Sequence, residues 1–138
     1  MIYEPTSKFS STISAAKTYV KRNYNELNKK KKYYGDRYAY SYIGNYNFNL
    51  DNSIAFGTER EDDQIGYNPT GNLLSNESIY VTSNYFDIQS RLAENTYVTF
   101  GSRFDDHSVA GTEESHRVTV AQLYDKNIKL KSSFGTGF

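Results

Sequence analysis

Few of the 138 residues are of types that carry chemistry in their own right, and none of those is arranged for catalysis. Asp105, Asp106, His107 and His116 combine imidazole with carboxylate, the pair that can hold Zn²⁺. Asp105 and Asp106 are adjacent, however, so in a strand they point to opposite faces. His107 and His116 flank a polar stretch without a fixed ligand spacing. Glu59, Glu61, Asp62 and Asp63 could offer oxygen ligands to Ca²⁺, but the loop spacing of an EF-hand is missing and a solvated strand tip explains them better. Gly135 and Gly137 are not a phosphate loop, because no Lys-Ser/Thr follows and no helix is signalled. No Ser-His-Asp or Cys-His arrangement is recognisable, and the chain holds no cysteine. The expectation is a protein that is not an enzyme, with no catalytic, cofactor-binding or metal residues.

The remaining charges form a pattern instead of a cluster. Glu59, Glu61, Asp87, Arg91, Arg103, Asp105, Lys129 and Lys131 all fall on one parity of their segments. Tyr40, Tyr42, Phe56, Phe86, Val98, Phe100, Phe104, Val118, Val120, Leu130 and Phe134 fall on the other. Side chains alternate between the faces of a β-strand, so this segregation describes a sheet wet on one face and greasy on the other. The alternation is clearest from Arg37 to Leu50, where Tyr38, Tyr40, Tyr42, Gly44, Tyr46, Phe48 and Leu50 share a parity. It returns over residues 53–63, 77–92, 96–106, 115–124 and 127–138. Residues 9–20 fit a strand or an amphipathic helix, with Ser, Thr, Tyr and Val favouring the strand.

Between these segments lie turn residues. The spacing predicts short connections at 49–52, 93–95 and 125–126 and long ones at 24–34, 66–76 and 107–114. Soluble meanders have no reason to sort their loops in this way, whereas outer-membrane barrels have short periplasmic turns and longer outside loops. Strands of 11 to 15 residues, longer than the usual 5 or 6, fit a tilted bilayer crossing. On this reading the first set of residues faces a lumen and the second faces lipid.

Composition agrees. Only 37% of residues are hydrophobic, yet there are 14 Tyr and 8 Phe, too little aliphatic material for a thick dry core. Sixteen basic and sixteen acidic side chains cancel, which argues against nucleic acid as a partner. The run from Lys29 to Lys32 reads as a solvated outside loop able to touch lipopolysaccharide. No apolar run is long enough for a transmembrane helix, and the first residues lack a signal-peptide pattern, so an exported protein is expected to begin upstream of Met1.

Three stretches resemble the C-terminal barrel region of TonB-dependent outer-membrane receptors, the vitamin B12 and ferric-siderophore transporter family. Residues 53–61, Ser-Ile-Ala-Phe-Gly-Thr-Glu-Arg-Glu, are similar to the family strand in which an apolar pair precedes Gly and an acidic run. Residues 92–107 are similar to its hairpin L-x-E-N-x-x-x-T-x-G-x-R-x-D-x-H. Residues 129–138, Lys-Leu-Lys-Ser-Ser-Phe-Gly-Thr-Gly-Phe, are similar to its K-L-R-x-S-x-G-x-G-F strand. Order and spacing match over roughly residues 35–138.

The resemblance implies an antiparallel up-and-down transmembrane β-barrel of about 22 strands, of which residues 1–138 supply about six or seven. The plug domain, the energy-coupling box and the other strands are not in this sequence, so a fragment is expected. It also implies a nutrient ligand, energy from the TonB complex through the plug, and a place in the bacterial outer membrane. A passive porin-like or adhesin-like barrel is the alternative, followed by a soluble β-sandwich binding module.

Overall fold

The computed structural model describes residues 1–26, 29–68, 75–124 and 128–137. These form eight strands: β1 (Ile2–Thr6), β2 (Phe9–Glu26), β3 (Lys29–Asn47), β4 (Asn52–Asn68), β5 (Ser75–Ala93), β6 (Thr96–His107), β7 (Gly111–Tyr124) and β8 (Ile128–Gly135). Each pairs antiparallel with its sequence neighbour in a single sheet, ordered β1 to β8. The sheet is all-β, up-and-down and not closed into a barrel. No helix is found among the described residues, and residues 9–20 belong to a strand.

Three expectations need correction. The stretches 24–34 and 107–114 are not long loops. The ladder of β2 and β3 continues to Glu26↔Lys29, and β6 turns into β7 through Ser108, Val109 and Ala110 alone. Consecutive lysines do not end a ladder, because the backbone bonds that make it do not depend on the side chain. The turn from 108 to 110 is tightened where the His107 ring nitrogen accepts the Val109 and Ala110 N–H groups, both at 3.1 Å. Gly111 follows at φ 89°, a left-handed conformation that glycine adopts without Cβ strain. The connection placed at 66–76 is also shorter, since β4 runs to Asn68 and β5 starts at Ser75; residues 69–74 lie outside the described residues.

Secondly, Phe48 and Leu50 do not extend the alternating strand. They sit in the turn after β3, where the Asn49 carboxamide oxygen accepts the N–H groups of Asp51 and Asn52 at 2.9 and 2.8 Å. Thirdly, the strands number eight, not six or seven, because Ile2–Thr6 pairs with β2. Pro5 hides that strand in the sequence and is tolerated because β1 is an edge. The turn expected at 125–126 lies outside the described residues.

Following the pair register across the sheet, the ends at the short turns step regularly. The β1–β2 hairpin closes at Thr6↔Phe9, and Phe9 is level with Tyr46 and Ile54. The β4 end, Asn52, lies two residues further along. Asn52 is level with Ser90 and Val98, and β6 begins two residues beyond, at Thr96. Thr96 is level with Gln122, and β7 ends two residues beyond that, at Tyr124↔Ile128. The step is two residues per hairpin, hence one per strand. A shift of ~3.3 Å along the strand for every ~4.8 Å across the sheet means that, with the turns at one height, the strands lean by roughly 35°. Barrels tilt their strands by this amount.

The opposite end is ragged. Tyr67 is level with Tyr33, and the β2–β3 ladder runs four residues past it to Lys29 (33 − 29). His107 is level with Val81, and β5 runs six residues past it to Ser75 (81 − 75). Hairpins of unequal length therefore project from this end.

The sheet has almost no core. Ala121 is the one buried hydrophobic residue among those described, and large apolar side chains such as Phe100, Val118, Leu130 and Phe134 are exposed. A single sheet in water has nothing to cover its greasy face, and domains normally bury that face against a second layer.

Candidate functional site: a two-faced sheet

The register sorts the sheet into an aromatic face and an ionic face. Tyr42, Thr58, Asn84 and Phe104 are level, as are Gly44, Phe56, Phe86 and Ser102, and Tyr46, Ile54, Ile88, Phe100, Val118 and Phe134. All eleven apolar candidates share this aromatic face: Tyr40, Tyr42, Phe56, Phe86, Val98, Phe100, Phe104, Val118, Val120, Leu130 and Phe134. Their rings touch across strands, with Tyr42–Phe56 at 6.3 Å and Phe86–Phe100 at 5.9 Å between centroids. The apolar stripe slants with the turns. On β2 it includes Ile13, level with Tyr42 and Phe104, and on β8 Leu130, level with Thr96.

All eight charged candidates share the other face: Glu59, Glu61, Asp87, Arg91, Arg103, Asp105, Lys129 and Lys131. The structure brings five of them into ionic contacts there. Arg103 reaches Asp105 at 2.9 Å and Glu59 at 3.6 Å, donates to the Ser83 hydroxyl at 2.7 Å, and holds its guanidinium 5.8 Å from the Tyr85 ring centroid. Ser83 in turn donates to Asp105 and is buried. Asp87 is met by Arg117 at 3.3 Å and Glu61 by Arg37 at 3.4 Å. Arg91 sits apart, tying Asp51 of the β3–β4 turn at 3.1 Å and donating to the Glu94 carbonyl. Lys129 and Lys131 have no ion pair among the described residues and border a groove with Tyr97, Thr99, Arg117 and Thr119.

Arg37, Asp63 and Arg117 belong to the same face; the sequence pattern does not single out Arg37 or Arg117, and it offers Asp63 only as a Ca²⁺ ligand. Arg37 grips Asp63 with two bonds, both 2.6 Å. Parity alone identifies them, but their partners lie 26 and 30 residues away and are chosen by register. Charges also appear on the aromatic face, above the apolar stripe. Lys17 bonds the Tyr38 hydroxyl at 2.7 Å and Asp36 at 3.4 Å, and Arg60 bonds Asp62 at 2.8 Å while lying 4.6 Å from the Tyr80 ring centroid.

Near the ragged end a third feature appears on the ionic face. Tyr33 stacks on Tyr67 at 4.6 Å, and Tyr24 meets Tyr33 edge-on at 5.5 Å. The Tyr33 hydroxyl titrates above its ordinary value, because its hydrogen bond with Tyr67 and local desolvation favour the neutral phenol. Tyr24 and Tyr33 fall in the stretch expected to be a loop, which is why alternation did not reveal them.

The other candidates are scattered. Asp105 faces Ser83 on the ionic side and Asp106 lies beside Thr82 on the aromatic side. His107 caps its turn, and His116 bonds Ser102 at 3.1 Å and stacks over Phe100. Glu59, Glu61 and Asp63 share a face, but Asp62 lies opposite. Among the described residues no group of three or more His, Asp or Glu could hold a metal ion. No family model, curated protein or solved structure matches this chain.

Proposed function

We propose that this chain is part of the β-barrel wall of a TonB-dependent outer-membrane receptor. It works as scaffold and lumen lining for energy-coupled uptake of a scarce nutrient of the cobalamin or ferric-siderophore class. The observation that carries the membrane part is a coreless sheet with one aromatic and one ion-paired face, its short turns stepping one residue per strand. Lipid would supply the missing layer against the aromatic face, and each buried Phe, Leu or Val side chain would gain about 1.5–3 kcal/mol. The ionic face would then line a hydrated interior. The ladder edges of β1 and β8 would need further strands, since unpaired backbone groups are too costly in lipid.

The receptor class rests on the three motif stretches. The family hairpin spans β5–β6, where the motif's Arg103 and Asp105 form an ion pair. The nutrient would bind at the ragged, projecting end, outside the cell, and the plug would meet the ionic face. The protein would act in transport and not as an enzyme.

The test is uptake of labelled cobalamin or a ferric siderophore by cells with and without the gene. Saturable uptake that vanishes on deletion and on collapse of the proton gradient is expected. Uptake through the protein that ignores a protonophore would instead assign a passive porin.

A further inference from the structure

The ionic face changes character toward the ragged end. Val20 and Ile65 are 48% and 51% exposed there, on the face that carries the ion pairs. Val20 is paired with Gly35, and Gly35 with Ile65, so the two aliphatic side chains stand on either side of a glycine. Backbones two strands apart are roughly 10 Å from each other. With carbon contacts at about 3.5–4 Å, the space between the two side chains holds a single aromatic ring.

Gly35 supplies the floor of this slot. A methyl group placed there would meet only the Gln64 carbonyl oxygen, at 3.6 Å, so the floor is open and not filled from below. Thr18, Arg37 and Asp63 close the lower end. Arg37 is already bound to both Asp63 and Glu61, so the lower end is not cationic and offers an anion no partner. Tyr33, the next residue on this face of β3, closes the upper end and is braced by Tyr67 and Tyr24. Arg22 is directly across from Tyr33, so the upper corner toward β2 carries a cation. Glu77 is across Ile65, on the far side.

We infer that this slot binds the ring of a small aromatic anion. The ring lies between Val20 and Ile65 over Gly35, its edge against Tyr33, and its carboxylate or phenolate is directed toward Arg22. Ring-to-ring contact supplies shape selectivity, and the guanidinium selects charge. The site follows from the sheet itself and holds whether or not the sheet lines a transport barrel.

The chain contains no cysteine, so a single introduced thiol reports the slot in membranes from cells making the protein. Thr18→Cys is labelled with a maleimide in the presence of benzoate, benzamide or cyclohexanecarboxylate. Benzoate should slow labelling, and benzamide and cyclohexanecarboxylate should each need roughly tenfold higher concentrations for the same protection, given the worth of one charged bond or one aromatic contact. Val109→Cys, at the distant turn, should be indifferent to all three. Adding Gly35→Leu, which fills the floor, should abolish protection, and adding Arg22→Gln should make benzoate no better than benzamide. Benzoate protection that survives Gly35→Leu, or no benzoate protection of Thr18→Cys at all, would overturn the site. Benzamide matching benzoate would overturn its anionic preference. Protection together with uptake that ignores the proton gradient would keep the site and reject the energy-coupled receptor reading.

Discussion

Phe100 and Arg103 show how much a single position along β6 decides. Phe100 is level with Ile88 and Val118 on the aromatic face, whereas Arg103 is held by Asp105, Glu59 and Ser83 on the other. If the aromatic face meets lipid, Phe100→Arg places a charge near the bilayer midplane at a cost of about 2–4 kcal/mol. Arg103→Phe instead leaves two carboxylates in a hydrated place. Heat-modifiable mobility on gels should show a large loss of folded protein for Phe100→Arg and a small one for Arg103→Phe. The reverse order would mean that the faces are assigned the wrong way round.

Gly57 is a second such position. A Cβ there would lie 2.6 Å from the Tyr85 ring and 2.7 Å from the Tyr42 carbonyl oxygen. The backbone atom cannot swing aside, so Gly57→Val should cost about 1–3 kcal/mol, read as a lower urea midpoint in detergent. Gly35→Ala, with open space above it, should leave that midpoint nearly unchanged.

At the scale of the hairpins, the two ends of the sheet differ in a way that connection length does not capture. Among the described residues the β6–β7 connection at one end has three residues and the β3–β4 connection at the other has four, so length does not tell the ends apart there; projecting and flush hairpin ends do. The β6–β7 turn is at the projecting end and the β5–β6 turn, Glu94 and Asn95, at the flush one. With the projecting end outside the cell, a membrane-impermeant maleimide should label Val109→Cys on intact cells, and Asn95→Cys only after the outer membrane is opened. Labelling of Asn95→Cys alone on intact cells would invert the orientation. How far this was legible in the sequence depends on residue type. Asn49 announces its turn because its side chain can accept the N–H groups of Asp51 and Asn52, whereas nothing local tells Lys29–Lys32 to continue a ladder or to leave it.

For the whole molecule, the decisive fact is the absence of a second layer. Of the 14 Tyr and 8 Phe, all but Phe48 in a turn and Phe138 outside the described residues lie on one sheet, and among the described residues scarcely any apolar side chain is buried. Exposed apolar area of this extent favours association with a second apolar layer. Phase separation in Triton X-114 should carry the chain into the detergent phase with its β-sheet circular dichroism intact. Recovery from the aqueous phase as a folded monomer would sink the membrane reading and favour a soluble sandwich.

The sequence by itself determined the two faces, because side-chain direction in a strand depends only on parity, and parity is local. It therefore sorted Glu59 from Arg60 and Phe100 from Gly101 without any knowledge of neighbours. It determined the positions of the turns around residues 50 and 94 for the same reason. Only the tertiary structure decided which residues are level across strands. Partners such as Arg37 and Asp63, or Val20, Gly35 and Ile65, lie 15 to 30 residues apart, and their meeting is set by the hydrogen-bond register of the whole sheet. A slip of two residues would keep every side chain on its face and yet part Arg37 from Asp63 and Tyr33 from Tyr67. The stepped turns and the slot over Gly35 are properties of that register, and no local pattern in the chain encodes them.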